Sequence, residues 1–291
     1  MKKHAYLILA HNEFELLEKL ICALDDEKND IFLHIDSKVD DFDFNRYKAL
    51  LKHSDITLAK RVSVKWGDLS MVQAEYSLLE CAMSKNEKYS YLHLISGVDI
   101  PLKNQKEMHQ FYDMNDGMEF IHFTSSSLNQ TELDRVRAFH FATGRRNYFN
   151  RIITKAESTV CRISGINRIK NLDVQKGSQW FSITYDFAKY LLSQKDFVLR
   201  QFKHTFIPDE FFVQTVFINS PFQSNLYHKE FDNDNTANMR YMDWERGYPY
   251  VFRIDDFDEL TENQCNFARK FSSSVDREII DKLYDRIKNN E

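Results

Sequence analysis

A chain of 291 residues with 43% hydrophobic and 29% charged residues has ample length for the buried core of one large domain. Its formal net charge of −5 argues against a general nucleic-acid binder. Cys22, Cys81, Cys161 and Cys265 stand far apart with no C-x-x-C, which suggests neither a zinc knuckle nor a redox pair, and reduced thiols are expected.

Ala5–Ala10 is an apolar run of six residues, too short for a signal h-region or a membrane span, so a cytoplasmic location is expected. The run reads as a buried first strand ending in His11-Asn12. An amphipathic helix follows, with Leu16, Leu17, Leu20, Ile21 and Leu24 at helical spacing. Ile31–Ile35 is a second strand closed by Asp36-Ser37-Lys38, a helix is expected near Phe44–Lys52, and Ile56–Leu58 and Val62–Trp66 read as further short strands. Leu69–Met83 is a helix, and Tyr91–Ile95 is an apolar strand ending at Ser96-Gly97-Val98-Asp99. Strands alternating with helices predict an α/β fold with a mostly parallel central sheet flanked by helices, whose function gathers at the carboxyl ends of the strands. His11, Asp36, Trp66 and Asp99 all fall at such ends.

After a strand at Glu119–Phe123 the character changes. Residues 135–176 hold ten Lys/Arg, including Arg145, Arg146, Arg151, Lys155 and Arg162, against Glu157 and Asp173, a net +8 in an acidic chain. Phe149, Ile152, Ile153, Ala156, Val160 and Ile163 form an apolar stripe there. It suits either a surface helix docked on the core or a helix lying on an anionic membrane, which would make the protein peripheral to the inner face of the membrane.

Gln179–Thr184 reads as a strand and Tyr185–Gln194 as a helix. A further helix is expected to open at Pro208, where a missing N–H costs nothing, with Asp209 and Glu210 in its first turn. An ionised acid held there could act as a general base. Asn219–Asn238 is a polar loop, followed by Arg240–Gly247, a helix at Phe257–Leu260, Phe267–Phe271 and a last charged helix at Asp276–Lys288.

No dinucleotide or P-loop glycine motif, zincin motif or nucleophile elbow is present. Asp-x-Asp occurs at Asp41/Asp43, Asp232/Asp234 and Asp256/Asp258, each in an acidic loop or helix entry, and reads as solvated charge. The position after the Tyr91–Ile95 strand supplies one carboxylate, Asp99. A diphosphate would then have to be met by Lys or Arg.

Seven pieces in order resemble the core-2/I-branching β-1,6-N-acetylglucosaminyltransferases, a family that includes the protein xylosyltransferases. They are Ala5–His11, Ile35–Lys38, Trp66 with Val72-Gln73-Ala74, Ser96–Leu102, Gly177–Phe181, Pro208-Asp209-Glu210 and Phe267–Phe271. The resemblance, to a bacterial-type member, implies a GT-A-like fold and an inverting glycosyltransferase that needs no metal or other cofactor. Residues 1–125 would form the nucleotide-sugar-binding half, 126–176 a basic helical insertion and 177–291 the acceptor and catalytic half of a single domain. It implies Glu210 as the base. On the donor side it implies Ala10, His11, Asp36, Trp66, Asp99 and Lys270, with Arg253 as the partner of Lys270 and Arg246 competing for that role. Trp180, Asp209, Trp244 and Arg246 are the acceptor-side candidates. The expected partners are a nucleotide-sugar donor, with UDP-GlcNAc favoured, and a glycan or lipid-linked glycan acceptor in surface polysaccharide synthesis. The alternatives are a UDP-xylose enzyme and a non-catalytic carbohydrate-binding or assembly subunit.

Overall fold

The computed structural model describes residues 2–141, 148–170 and 172–289. Strands β1 (His4–Ala10), β2 (Asn29–Ile35) and β3 (Asp55–Leu58) run parallel, and β4 (Tyr91–Ser96) lies parallel to β1 on its other side. β1, β2 and β4 are buried along their whole length, as expected of central strands covered on both faces. Helices α1 (Phe14–Ala23), α2 (Phe44–Leu50) and α3 (Ser70–Met83) make the crossovers.

The chain continues through β5 (Ile100–Pro101), α4 (Gln105–Met114), β6 (Phe120–Ile121), α5 (Gln130–Arg137) and α6 (Tyr148–Ile163). Then β7 (Phe181–Thr184) enters the main sheet antiparallel between β4 and β6, giving the order β3-β2-β1-β4-β7-β6. The chain after residue 177 therefore completes the sheet begun by the first 125 residues. Helices α7 (Tyr185–Ser193), α8 (Lys195–Gln201) and α9 (Phe212–Ile218) follow. A small sheet joins β5 to β8 (Arg240–Met242) and β9 (Phe267–Arg269), with α10 (Phe257–Glu262) and α11 (Arg277–Asn289) at the end.

The core has a layer on each side of the main sheet. Tyr76 of α3, Phe187 of α7 and Phe212 and Phe217 of α9 pack on one face, and Leu17, Leu20 and Ile21 of α1 with Tyr47 of α2 pack on the other. A third cluster seats α11 against the small sheet and the outer side of α1. Arg240, fully buried, fastens β8 to the main sheet. Its Nη2 donates to the Phe181 carbonyl and Ser182 Oγ, each at 2.9 Å, and its guanidinium lies 4.5 Å from the centre of the Phe267 ring.

Two expected elements differ. Residues 62–65 are irregular chain and Trp66 makes only an isolated bridge, because the backbone here is taken by a loop and side chains rather than a neighbouring strand: Val62 donates to His34 Nε2, and its carbonyl accepts from Ser37 N. Pro208–Glu210 is a separate 3₁₀ turn, broken from α9 at Phe211 (φ −125°). Helices α4 and α5 were not expected, although each opens on an Asn-x-x-Glu capping box, Asn104/Glu107 and Asn129/Glu132. Arg145 and Arg146 lie outside the described residues, as do the side chains of Phe149 and Arg151.

Gly97, just past β4, sits so close to β1 that a Cβ there would lie 2.7 Å from Ala10 Cβ. Gly97→Ala should therefore destabilise the protein by about 1–3 kcal/mol, read as a lower urea midpoint with an unchanged slope.

Candidate functional site

Adjacent strands β2, β1 and β4 end at one level, where Asp36 N donates to the Ala10 carbonyl (3.1 Å) and Gly97 N to that of Leu9 (2.8 Å). Asp36 is buried and faces Lys38. Its Oδ1 accepts from Lys38 N at 2.9 Å, and Lys38 Nζ lies 3.3 Å from Oδ2. Asp99 is buried as well, accepting from Ser96 N on one oxygen (2.9 Å) and Arg269 Nη1 on the other (3.0 Å). The Arg269 guanidinium lies over the Trp180 ring, 4.5 Å from its centre. Lys270 is the next residue, and Phe252 N donates to its carbonyl at 3.0 Å, which brings the exposed Arg253 alongside. Desolvation lowers the His11 imidazole, and the charges of Lys38, Arg269 and Lys270 push the same way against Asp36. His11 is therefore neutral at pH 7 inside a group of cations.

The Pro208–Glu210 turn is held from the other side. Arg135 donates through Nε to the Phe206 carbonyl (3.1 Å) and through Nη2 to the Ile207 carbonyl (3.1 Å) and Glu210 Oε2 (2.9 Å). Its guanidinium lies 4.6 Å from the centre of the Phe211 ring. Lys176 Nζ stands 3.9 Å from the same Oε2. Among the described residues Glu210 Oε1 takes no hydrogen bond, and the side chain is 34% exposed. Trp66, 42% exposed, packs edge-on against Phe206 with ring centres 5.5 Å apart.

Two segments join these groups. Residues 62–67 run from the Asp36 end, where Lys38 Nζ donates to the Val64 carbonyl (2.6 Å), to the Glu210 turn, where Ile207 N donates to the Gly67 carbonyl (3.0 Å). Residues 177–180 start at Glu210, whose carbonyl accepts from Gly177 N (2.9 Å), and end at Trp180 beneath Arg269. Gly177 is needed there, because a Cβ would fall 1.7 Å from the His122 carbonyl oxygen. The Glu210 turn is thus linked through these segments to Lys38 and to Arg269, the chain neighbour of Lys270, at the carboxyl edge of the parallel strands, where open α/β sheets place their ligands.

Several sequence-derived assignments need correction. Trp180 is 7% exposed and capped by Arg269, so it serves as a platform for that guanidinium rather than a stacking surface for an acceptor. Arg246 is occupied by Asp243, by Asp256 (2.6 Å) and by Glu259 (3.0 Å), so it latches its own loop. Asp99 already holds Ser96 N on one oxygen and Arg269 on the other, so it faces Arg269 rather than standing free. Asp209 is buried and withdrawn from the surface an acceptor would reach. Trp244, at 51% exposure, remains open to solvent on the Arg246 loop.

Two important residues went unread. Arg135 was legible only as one cation in a +8 segment. Glu75 falls on the apolar stripe of α3 between Val72, Tyr76 and Leu79, and a carboxylate on a buried stripe was the available signal. It is wholly buried, with Oε1 accepting from Gln179 Nε2 (2.8 Å) and Oε2 without a hydrogen-bond partner among the described residues. Burial pushes Glu75 well above the usual carboxylate range, and Asp209 adds to it. Burial also pushes Asp209 up to about 7, with the charge of Glu210 adding and Arg135 opposing.

A Core-2/I-Branching enzyme family model matches residues 4–266. The chain belongs to that family. Rat xylosyltransferase 2 is 25% identical over 302 aligned positions, which cover 96% of this chain and 33% of the relative. The bovine beta-1,3-galactosyl-O-glycosyl-glycoprotein beta-1,6-N-acetylglucosaminyltransferase is 22% identical over 296 positions, covering 94% and 66%. The chain thus spans about a third of the length of the xylosyltransferase. Among solved structures, apo mouse xyloside xylosyltransferase 1 aligns with a TM-score of 0.40 and 14% identity, covering 92% of this chain and 97% of that one. The apo glycosyltransferase GlyE of Streptococcus pneumoniae aligns at 0.44 and 10%, covering 100% and 63%. A family member is expected to be GT-A-like, and the mostly parallel α/β sheet agrees with that.

The Glu75–Asp209 pair sets a pH dependence. The folded protein retains protons that the unfolded chain releases above about pH 4, so stability falls as pH rises from there through about 7. Glu75→Gln removes one of these groups while keeping its shape. It should raise Tm by about 3 °C at pH 8 and change it little at pH 4, measured by thermal melting at both.

Proposed function

We propose that this protein is an inverting, metal-independent glycosyltransferase that moves a sugar from a UDP-sugar, UDP-GlcNAc first, to a hydroxyl of a glycan acceptor in surface polysaccharide synthesis. The observation that carries the reading is Glu210. One carboxylate oxygen is gripped by Arg135, the other is unbonded, and two short segments connect the residue to Lys38 and to Arg269, the chain neighbour of Lys270. Family membership and the relatives' names support sugar transfer, and the name of the bovine relative supports GlcNAc. The xylosyltransferase names favour UDP-xylose as the second donor.

In this mechanism Glu210 Oε1 takes the proton of the acceptor hydroxyl as its oxygen bonds to C1 of the sugar. The bond from C1 to the phosphate oxygen breaks on the opposite face, and the electron pair leaves with UDP. Fixed cations stabilise the departing diphosphate, where most charge develops. The strand-end donor set supports cations in place of a divalent ion. A divalent ion in that position would need several free oxygen ligands, whereas both Asp99 oxygens are already hydrogen-bonded and Asp36 is paired with Lys38. The His228, Asp232 and Asp234 side chains form the one metal-capable group among the described residues, and they lie on the loop after α9. The free thiols of the four cysteines support a cytoplasmic setting.

A thermal-shift panel of nucleotide sugars, with and without EDTA, tests the reading. UDP-GlcNAc should stabilise most and EDTA should not matter; a shift that EDTA abolishes would reject metal independence, and a larger shift with UDP-xylose would change the donor. Glu210→Gln should keep UDP affinity and lose about 10²–10⁴ in turnover, and near-normal turnover would remove Glu210 from the base role. Lys270→Ala should weaken UDP binding in calorimetry while the fold persists, and unchanged affinity would reject its place on the diphosphate.

A further inference from the structure

Helix α6 is amphipathic, and its faces are reversed relative to a helix docked on a core. Ile152, Ala156, Val160 and Ile163 recur at four-, four- and three-residue intervals and form one stripe. That stripe faces solvent, with Ile152, Val160 and Ile163 at 50%, 61% and 81% exposure. The opposite face carries Thr154, Glu157, Ser158 and Cys161 toward the protein. Glu157 turns inward to the chain beyond α5, accepting from Phe141 N at 3.1 Å. Beside the stripe Phe139 and Phe141 wall an apolar groove of about 570 Å³, floored by Ile153 and Cys161. Burying such a stripe on the core is the usual way to stabilise a surface helix. Here the described residues leave it on the outside.

Charge identifies the partner. The exposed Lys155 and Arg162 flank the stripe on one side, and the exposed Lys170 follows beyond the helix. The facing acid, Asp134 of α5, stands 4.0 Å from Arg162 and accepts from Gln130 at 2.7 Å. Arg135 and Lys176 of the basic segment turn inward to Glu210 and Arg168 to the Ala138 and Gln201 carbonyls, so among the described residues the outward charge here is that of Lys155, Arg162 and Lys170. No helix among the described residues is long and apolar enough to cross a membrane, and α6 has 16 residues. A short helix with an outward apolar stripe and a basic flank is suited to lie in the plane of an anionic bilayer surface.

We infer that α6 and the adjoining Phe139–Phe141 wall form a membrane-docking surface for bilayers rich in anionic phospholipid. The apolar side chains enter the acyl boundary and the lysines and arginines meet the headgroup phosphates. The surface lies close to Glu210, because α6 packs against α5 and α5 carries Arg135, which grips Glu210. Docking therefore holds Glu210 one helix layer from the bilayer. If the sugar-transfer reading holds, the favoured acceptors are glycans carried on the same membrane.

The test is flotation of the full chain with phosphatidylcholine vesicles, with and without phosphatidylglycerol. Binding is expected only with phosphatidylglycerol and should weaken with salt. Ile163→Glu and Val160→Glu, both at exposed positions, should each reduce it about tenfold, and Lys155→Glu with Arg162→Glu should remove its salt-sensitive component. Unchanged thermal melting of each variant secures the fold. Failure to bind, equal binding to neutral vesicles, or binding indifferent to these substitutions would overturn the inference. So would a stable dimer in light scattering that Ile163→Glu dissociates, which would assign the stripe to self-association. Vesicle binding does not depend on Glu210, so an inactive enzyme that still docks would separate this inference from the functional one.

Discussion

The grip of Arg135 on the turn before α9 is the contact on which the rest of the site depends. One guanidinium meets the carbonyls of Phe206 and Ile207 and the carboxylate of Glu210, and it is backed by the face of the Phe211 ring. A planar fork with donors on two edges can do this, whereas a lysine could satisfy only some of these acceptors. Arg135 is mostly buried, so its bond to Glu210 is charge-assisted in partly desolvated surroundings and stronger than a surface pair. The turn needs such a clamp, because Ile207 sits at φ 54°, in the left-handed region that β-branched residues avoid.

A second guanidinium fixes the other end of the site. Arg269 is held between the buried carboxylate of Asp99 and the face of Trp180, so the ends of three separate strands, β4, β7 and β9, meet through one side chain. Burial of Asp99 without that partner would be unfavourable, which makes the pair mutually dependent. In the neighbouring strand β8, buried Arg240 ties the two sheets together in the same manner. Lys38, Arg269 and Lys270 supply the positive field around His11. Between the two ends the buried carboxyls of Glu75 and Asp209 form a proton-retaining pair, with Asp209 next to Glu210 in the chain.

The basic segment, which in sequence stands apart as a charge anomaly, has two separate uses in space. Arg135 and Lys176, at its borders, turn inward to Glu210. Lys155 and Arg162, in its middle, remain on the outside of α6 beside an apolar stripe. A net charge cannot distinguish such inward and outward roles, because it carries no direction.

The sequence by itself determined the strands and helices with strong periodicity, β1, α1, β2, α3 and β4, and the order of motifs that led to the family. Those elements are local, since an apolar run or a stripe at helical spacing fixes the element wherever the chain goes. It also placed Asp36, Asp99, Glu210 and Lys270 at element ends, where the fold gathers them. Only the tertiary structure decided which groups met. Arg135 and Glu210 are 75 residues apart, Gln179 and Glu75 are 104 apart, and Arg269 and Asp99 are 170 apart. The burial of Trp180, the capture of Arg246 by its own loop and the outward turn of the α6 stripe depend on the same long-range packing. Pattern in a chain specifies which face of an element is apolar, and the partner that covers that face is chosen by the rest of the molecule.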